Sequence, residues 1–283
     1  MSLSGPAPRR VIVTSDDFGV SREVNEAVEQ AHCEGLLTCA SLMVAGDAAD
    51  EAVERARRLP QLGVGLHVVL VEGRPVLPPE RIPALVDASG HFRNDMVRTA
   101  IEIFASPAAR RQLAAEIEAQ FSAFAATGLP LDHVNAHKHF HLHPTIANTI
   151  LKVGRRFGMK AVRAPIEPPE VIEAVDGTRG GGRVERIWAG FVQRRMRAAG
   201  MLVPDQVFGL AWSGAFTPER LRAVIELLPP GLTEIYAHPA TGPYPGAAPG
   251  YRYSDELLAL LDGVAKRTLS SNGIPTGRFA DFM

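Results

Sequence analysis

Arg10-Val11-Ile12-Val13-Thr14-Ser15-Asp16-Asp17-Phe18-Gly19 opens as a short, β-branched, apolar run and ends in two adjacent acids and a glycine. The apolar part predicts a buried strand over 10–15. Ser21 then stands as an N-cap before Val24, Ala27, Val28 and Ala31, which recur at helical spacing until Gly35. The stretch is therefore one strand-loop-helix unit with carboxylates at the C-terminal end of its strand.

The same unit recurs outward along the chain. A strand over 37–45, a helix over 47–59 stopped by Pro60, and a strand over 64–71 containing His67 complete the next repeat. Residues 72–91 are proline-rich and read as a long loop on the functional face, because strong periodicity resumes directly after them. Helices are expected over 95–105 and, with Pro107 at the first helical position, 106–127. A histidine-rich strand follows, then a helix from Pro144 to about 157, and a fifth strand over 160–164. The proline- and glycine-rich segment 167–183 reads as a mobile loop, with Gly180-Gly181-Gly182 as a hinge. A helix over 185–199, a strand over 206–210 leading into Trp212, a helix from Pro218, a strand over 232–237 ending at His238, and a long helix from Ser254 close the chain. Seven strands alternating with helices predict a parallel sheet with right-handed crossovers, closed as a barrel or open. With no repeat of sequence and no break in composition, residues 1–283 read as one α/β domain, TIM-like in the barrel case.

Composition narrows the function classes. The chain has 283 residues, 46% hydrophobic and 22% charged, with a formal net charge of -1, so no global field draws it to nucleic acid. Cys33 and Cys39 lack C-x-x-C spacing and suggest neither a disulfide framework nor a zinc ribbon. No segment reaches the roughly 18 apolar residues of a spanning helix, and the apolar run after Arg9-Arg10 is too short for a signal peptide. A cytoplasmic protein is the expectation.

Chemistry concentrates between Leu131 and Pro144. Five of the nine histidines, His133, His137, His139, His141 and His143, occupy odd positions there, with Val134, Ala136, Phe140 and Leu142 at even ones. On an extended backbone all five imidazoles would share one face. The pattern predicts a metal or acid/base centre without naming its ligands, since five side chains on one strand cannot all reach one ion. Asp16, Asp17, His67, His137, Arg163, Trp212 and His238 all fall at or just past predicted strand ends, where barrels build their sites. A carboxylate and two imidazoles from separate strands would leave coordination positions open, which suits hydrolysis of an amide or ester. A second carboxylate could take the proton of water, and another histidine could protonate the leaving amine. The turn at Phe18-Gly19 is expected to aim both acids into one pocket. Other hydrolases fit less well: the first strand delivers Asp-Asp rather than His-x-His or Asp-x-Asp, and no glycine-rich phosphate loop follows a strand. A sugar- or metal-binding barrel without catalysis is the non-enzymatic alternative.

Thr14-Ser15-Asp16-Asp17-Phe18-Gly19, Gly65-Leu66-His67, the His133 to His143 run and Ala237-His238-Pro239 resemble, in order and spacing, the YdjC-like, ChbG-related carbohydrate deacetylases. Ser41-Leu42-Met43-Val44-Ala45-Gly46, the run from Val69 to Pro75 and the run from Phe208 to Gly214 resemble the hopanoid-biosynthesis-associated HpnK branch. The resemblance implies a distorted (β/α) barrel of the deacetylase type, with one divalent metal ion, magnesium or zinc first, held by Asp17, His67 and His137. It implies Asp16 as general base and His238 as general acid. The implied substrate is an N-acetylated amino sugar, N-acetylglucosaminyl hopanoid in the HpnK branch and soluble chito-oligosaccharide otherwise. Arg163, Trp212, His139 and His141 are the candidates for substrate contact, and Arg163 could also orient Asp16. Asn135 and Lys138 depart from the aspartate and histidine of the chito-oligosaccharide enzymes, which leaves the ligand set intact and bears on the substrate.

The segment 186–203 reads as a basic amphipathic helix, with Ile187, Trp188, Phe191, Val192 and Met196 on one half and Arg186, Gln193, Arg194 and Arg197 on the other. Arg195 falls in the apolar arc, its stem free to lie along a surface. Together with a lipid-linked substrate, this raises the expectation of peripheral contact with the inner membrane face. A homodimer is carried as an open expectation.

Overall fold

A computed structural model describes residues 7–177 and 183–283 and shows six parallel strands: β1 (Arg10–Phe18), β2 (Cys39–Leu42), β3 (Gly63–Val68), β4 (Val134–Ala136), β5 (Gln206–Phe208) and β6 (Leu232–Ala237). Their order is β4-β3-β2-β1-β6-β5, so the first strand sits centrally with β2 and β6 at its flanks. The sheet curls into a half-barrel, and residues 160–166 link its two edges. Val162 bridges Val134 of β4, Arg163 N donates to Val134 O at 3.1 Å, and Val207 N of β5 donates to Ile166 O at 2.8 Å. The expected fifth strand is thus a linking segment. It trades partners within a few residues and never builds a ladder along one neighbour.

Among the described residues ten α-helices wrap the outside: α1 (Arg22–Glu34), α2 (Ala49–Arg58), α3 (Met96–Ala105), α4 (Pro107–Ala126), α5 (Pro144–Arg156), α6 (Pro169–Asp176), α7 (Arg183–Ala198), α8 (Pro218–Glu226), α9 (Tyr253–Leu260) and α10 (Gly263–Ser271). The start signals act as read. Ser21, Asp95, Ser106 and Thr217 each accept a hydrogen bond from a backbone N–H three residues on, and prolines 107, 144 and 218 open their helices. Two readings are corrected. Segment 167–183 is not all loop: Pro168-Pro169 starts α6, and Gly177 ends it with a φ of 72°. The expected long final helix is two, because Asp262 leaves helical geometry and caps α10 through Ala265 N. The Gly180-Gly181-Gly182 hinge lies outside the described residues. Among the described residues, no helix is long and apolar enough to cross a membrane.

Period-2 alternation splits the buried side chains into two populations. One large apolar cluster lies between sheet and helices, including Val11, Val13, Leu66, Ile117 and Phe121. A second, small one is made of Ile12, Cys39, Ala161, Leu232 and Phe279. Full burial of a phenylalanine such as Phe279 stabilises by about 1.5–3 kcal/mol. Two residues further along the same strands the buried side chains are polar: Thr14, Ser41 and Glu234, with Arg163 on the linking segment. Another two residues on come Asp16, Tyr236 and, on β3 and β4, His67 and Asn135. The interior therefore turns from apolar to ionic towards the C-terminal strand ends.

Candidate metal centre and active site

The strand ends bring Asp17, His67 and His137 together, so that one ligand atom from each lies within 4.8 Å of the other two. His67 Nε2 is 3.2 Å and His137 Nδ1 3.1 Å from Asp17 Oδ1. Asp17 reaches this point because it sits in a bulge of β1, between the pairs Ser15–Ala40 and Phe18–Leu42, with a left-handed φ of 62°. The break in pleat falls on Asp17 itself, not on the turn at Phe18-Gly19, and it allows neighbouring acids to face one cavity. His67 rides on regular strand. Its Nδ1 meets Asn135 Oδ1 at 2.7 Å, which makes Nδ1 the protonated nitrogen, and its buried Nε2 has no hydrogen-bond partner. A lone pair buried, unpaired and aimed at a carboxylate and a second imidazole fits a divalent-metal site. Asp17 is also in the right state. Burial pushes its pKa up, but His137 and His67 outweigh that and hold it well below the usual carboxylate range.

The histidine strand is shorter than its alternation predicts. β4 ends at Ala136, and Lys138 and His139, with φ of 52° and 53°, wind the chain into a tight turn over His137–Leu142. The five imidazoles consequently diverge. His133 points into the barrel, His137 joins the metal set, and His139 Nε2 meets Tyr236 Oη at 2.9 Å on the cavity wall. His141 is buried away from the cavity, and its Nε2 donates to the Arg163 carbonyl at 2.9 Å. Burial first, then the Arg163 charge, lowers its pKa to about 4, so it is neutral and structural.

Asp16, fully enclosed, lies beside the metal set and lines the same cavity. Arg163 grips it from below through Nη1 to Oδ2 at 2.5 Å and Nη2 to Oδ1 at 3.0 Å, while Nη2 also bonds Glu234 Oε1 at 2.7 Å. Burial pushes the Asp16 carboxyl up, yet the Arg163 guanidinium outweighs it and holds the acid far below its ordinary range. Arg163 is itself completely buried and stacks on Tyr236 at 4.3 Å. No surface of Arg163 lines the cavity; its guanidinium meets Asp16 from beneath instead. Trp212 also stands outside the cavity lining. It packs against Phe216, gives Nε1–H to Asp176 at 2.9 Å and lies under Arg220, away from the cavity.

His238 closes the opposite side. Its backbone N–H donates to Glu256, and its Nδ1 lies 3.6 Å from Glu256 Oε2, a carboxylate buried on α9. Burial disfavours the imidazolium, but Glu256, and behind it Asp17 and Asp16, raise the His238 pKa to about 9. The cavity these groups enclose has a volume of about 660 Å³, with Tyr244, Tyr251 and Tyr253 on its rim. Among the described residues four non-glycines adopt positive φ, Asp17, Glu72, Lys138 and His139, and all four line this cavity. Such backbone costs of order 1–3 kcal/mol per residue and concentrates at functional sites.

Several contributors escape the strand-end reading: Asn135, Ser41, Glu234, Tyr236 and Glu256. The first four stand two residues from a noted position or on the same face as one, so the i, i+2 rule could have found them. Nothing in the sequence ties Glu256 on α9 to His238. It also yields a test. An acid must hold its proton, and a raised pKa keeps it to higher pH, so activity should persist to about pH 9 and fall above it. Glu256→Gln should bring that alkaline limb down by roughly 1–3 pH units. An unmoved limb in the pH–rate profile would remove His238 from the acid role or Glu256 from control of it.

A curled parallel barrel with a carboxylate and two imidazoles at its strand ends, flanked by a second acid and a histidine, has the make-up of a hydrolytic metal site. The chain belongs to the YdjC-like family, whose pattern it matches over residues 10–271. It is similar to the carbohydrate deacetylase of Geobacillus stearothermophilus, 28% identical over 282 residues, 97% of this chain and 98% of that one. The carbohydrate deacetylase of Brevibacillus brevis is 38% identical over 160 residues, and the match spans 56% of this chain and 59% of that protein. Among solved structures, an Enterococcus faecalis V583 protein described as a candidate for cellobiose-phosphate cleavage shares the fold, with a TM-score of 0.77 at 22% identity over 98% of this chain and 99% of that one.

Proposed function

We propose that this protein is a metal-dependent carbohydrate deacetylase that hydrolyses the N-acetyl group of an amino sugar. The observation that carries the reading is a pair of titratable groups pushed in opposite directions on one cavity, Asp16 held ionised and His238 held protonated, beside the Asp17–His67–His137 set. A divalent ion held by those three residues would lower the pKa of water and polarise the acetyl carbonyl. Asp16, locked by Arg163, accepts a proton from the attacking water. His238 Nε2, the nitrogen turned away from Glu256, delivers a proton to the departing nitrogen, so that amide and water become acetate and amine. The rim tyrosines offer aromatic faces to a sugar ring.

For the substrate we carry the N-acetylglucosaminyl hopanoid, supported by the sequence likeness of the Ser41–Gly46 and Phe208–Gly214 runs and by one surface feature. The apolar half expected of α7 is split: Val192 and Met196 face inward, with Ala189 beside them, while Ile187, Trp188 and Phe191 are 66%, 45% and 44% exposed. Trp188 and Phe191 pack edge-on at 6.0 Å, and Arg194 and Arg195 flank Phe191 in one surface groove. Exposed aromatics beside arginines suit an anionic lipid surface. Flotation with anionic liposomes at low salt should carry the protein up, and Trp188→Asp with Phe191→Asp should abolish it. Equal flotation of the double variant would put any membrane contact elsewhere. The soluble-oligosaccharide reading has its own support, a second cavity of about 670 Å³ that shares Val20, Met43, Glu72, Asn94 and Gly246 with the first and adds Asp47, Arg74, Ser89 and His91. Acetate release from an N-acetylglucosaminyl lipid against diacetylchitobiose separates the two; release from neither overturns deacetylation of such sugars.

A further inference from the structure

Below the metal set, a continuous line of buried hydrogen bonds runs into the barrel. His67 Nδ1 meets Asn135 Oδ1 at 2.7 Å, and Asn135 Nδ2 donates to Asp16 Oδ1 and to Ser41 Oγ, both at 2.9 Å. Ser41 Oγ meets His133 Nε2 at 3.0 Å, and His133 Nδ1 meets Asp132 Oδ2 at 3.0 Å. Asp132 also takes Cys39 Sγ–H at 3.5 Å and Ala280 N–H at 3.0 Å. Ser41, His133 and Asn135 have no exposed surface. The space is built for them. A Cβ on Gly65 would stand 2.6 Å from the His133 ring and one on Gly63 2.8 Å from Asp132, and Phe279 stacks on His133 at 4.5 Å.

Each donor and acceptor along this line fixes the next. The Asp132 carboxylate only accepts, so His133 carries its proton on Nδ1 and offers a lone pair at Nε2. The single hydroxyl hydrogen of Ser41 must then point at His133, which leaves the Ser41 oxygen to accept from Asn135. With Ser41 and Asp16 both accepting, the Asn135 amide is held with nitrogen towards them and oxygen towards His67. His67 is thereby held as the Nδ1–H tautomer, with its Nε2 lone pair facing Asp17. An aspartate at position 135 could accept from His67 but could not donate to Ser41 and Asp16 together.

We infer that Asp132, His133, Ser41 and Asn135 form a positioning relay that sets the tautomer of His67 and so its affinity as a metal ligand. The inference rests on the metal reading of Asp17, His67 and His137, and the experiment separates the two. Long-range ¹H–¹⁵N spectra of the chelated protein, taken at a pH alkaline enough for His67 to be neutral, report the His67 tautomer, its signal assigned by its loss in His67→Ala; Zn²⁺ titration of the same samples reports affinity. Wild type should show one Nδ1–H tautomer. Asn135→Ala should lose it and weaken Zn²⁺ binding by about 10- to 100-fold, the usual effect of removing a partner that orients a ligand. Asn135→Asp should restore the Nδ1–H tautomer. Ser41→Ala and His133→Phe, the latter keeping a ring against Phe279, should move the His67 signal and the affinity in the same direction by a smaller factor, with thermal melting in chelator confirming that they fold.

An unchanged tautomer and affinity in Asn135→Ala, or in both Ser41→Ala and His133→Phe, overturns the relay. So does a second Zn²⁺ equivalent in wild type that vanishes in His133→Phe, since Cys39, Asp132 and His133 would then be ligands. A wild type that shows the Nδ1–H tautomer but binds no Zn²⁺ refutes the metal reading and, with it, the relay's purpose.

Discussion

Asp16→Asn should lower turnover by a factor on the order of 10² to 10⁴ while metal content stays at the wild-type level. Asparagine keeps the outline of Asp16 and can still accept at Oδ1 from Arg163 Nη2 and Asn135, but its nitrogen would face Arg163 Nη1 where Asp16 Oδ2 now accepts. One donor then confronts another inside the barrel, and stability should fall by about 1–3 kcal/mol. Glu234 retains its bond to Arg163, so the guanidinium is not stranded. Activity must accordingly be measured per folded molecule, with a melting curve beside it. Near-normal turnover of folded Asp16→Asn would move the base elsewhere. Because Arg163 holds Asp16 ionised far below the usual range, any acidic limb of the pH–rate profile should belong to a different group.

His137→Ala should have a comparable or larger effect on activity, through the metal. Removing one of three ligands should cost more affinity than the roughly 10- to 100-fold lost on removing a group that merely orients a ligand. His137 is the cleanest site for the test because it is partly exposed and hydrogen-bonded only to Asp17, whereas His67→Ala would also strand Asn135 Oδ1 in the barrel. His139→Ala is the control. It loses a contact to Tyr236 Oη and should leave metal affinity close to wild type. Full affinity in His137→Ala with loss in His139→Ala would show that the turn after β4 presents a different imidazole.

The frame was legible because it depends on local signals. Start signals at Ser21, Ser106-Pro107 and Thr217-Pro218 and stops at Gly35 and Pro60 placed several helices, and apolar runs bounded by such punctuation placed most strands. Asp16, Asp17, His67, His137 and His238 could be grouped from sequence because strand ends converge in a barrel, and the structure brings all five to one cavity. The same rule grouped Trp212, His141 and Arg163 with them although all three lie outside the cavity, since position at a strand end does not say whether a side chain turns into the cavity or into the packing beneath it. Alternation also failed across Lys138-His139. Two residues in left-handed conformation reset the phase of every later side chain, and nothing in their identity announces it. The contact of Glu256 with His238 and the bond from Asp132 through Ser41 to Asn135 join elements distant in sequence, so only the assembled barrel displays them. On α7, periodicity found the apolar residues but could not tell that Val192 and Met196 face the barrel while Ile187, Trp188 and Phe191 stay exposed.

The most direct test is acetate release from an N-acetylglucosaminyl substrate by chelated protein as a divalent metal is added back. The account predicts no release without metal, recovery that saturates at one equivalent in wild type, and no recovery in His137→Ala at the same metal concentration. Release that persists at full rate in the chelated protein, or recovery in His137→Ala equal to wild type, would contradict it.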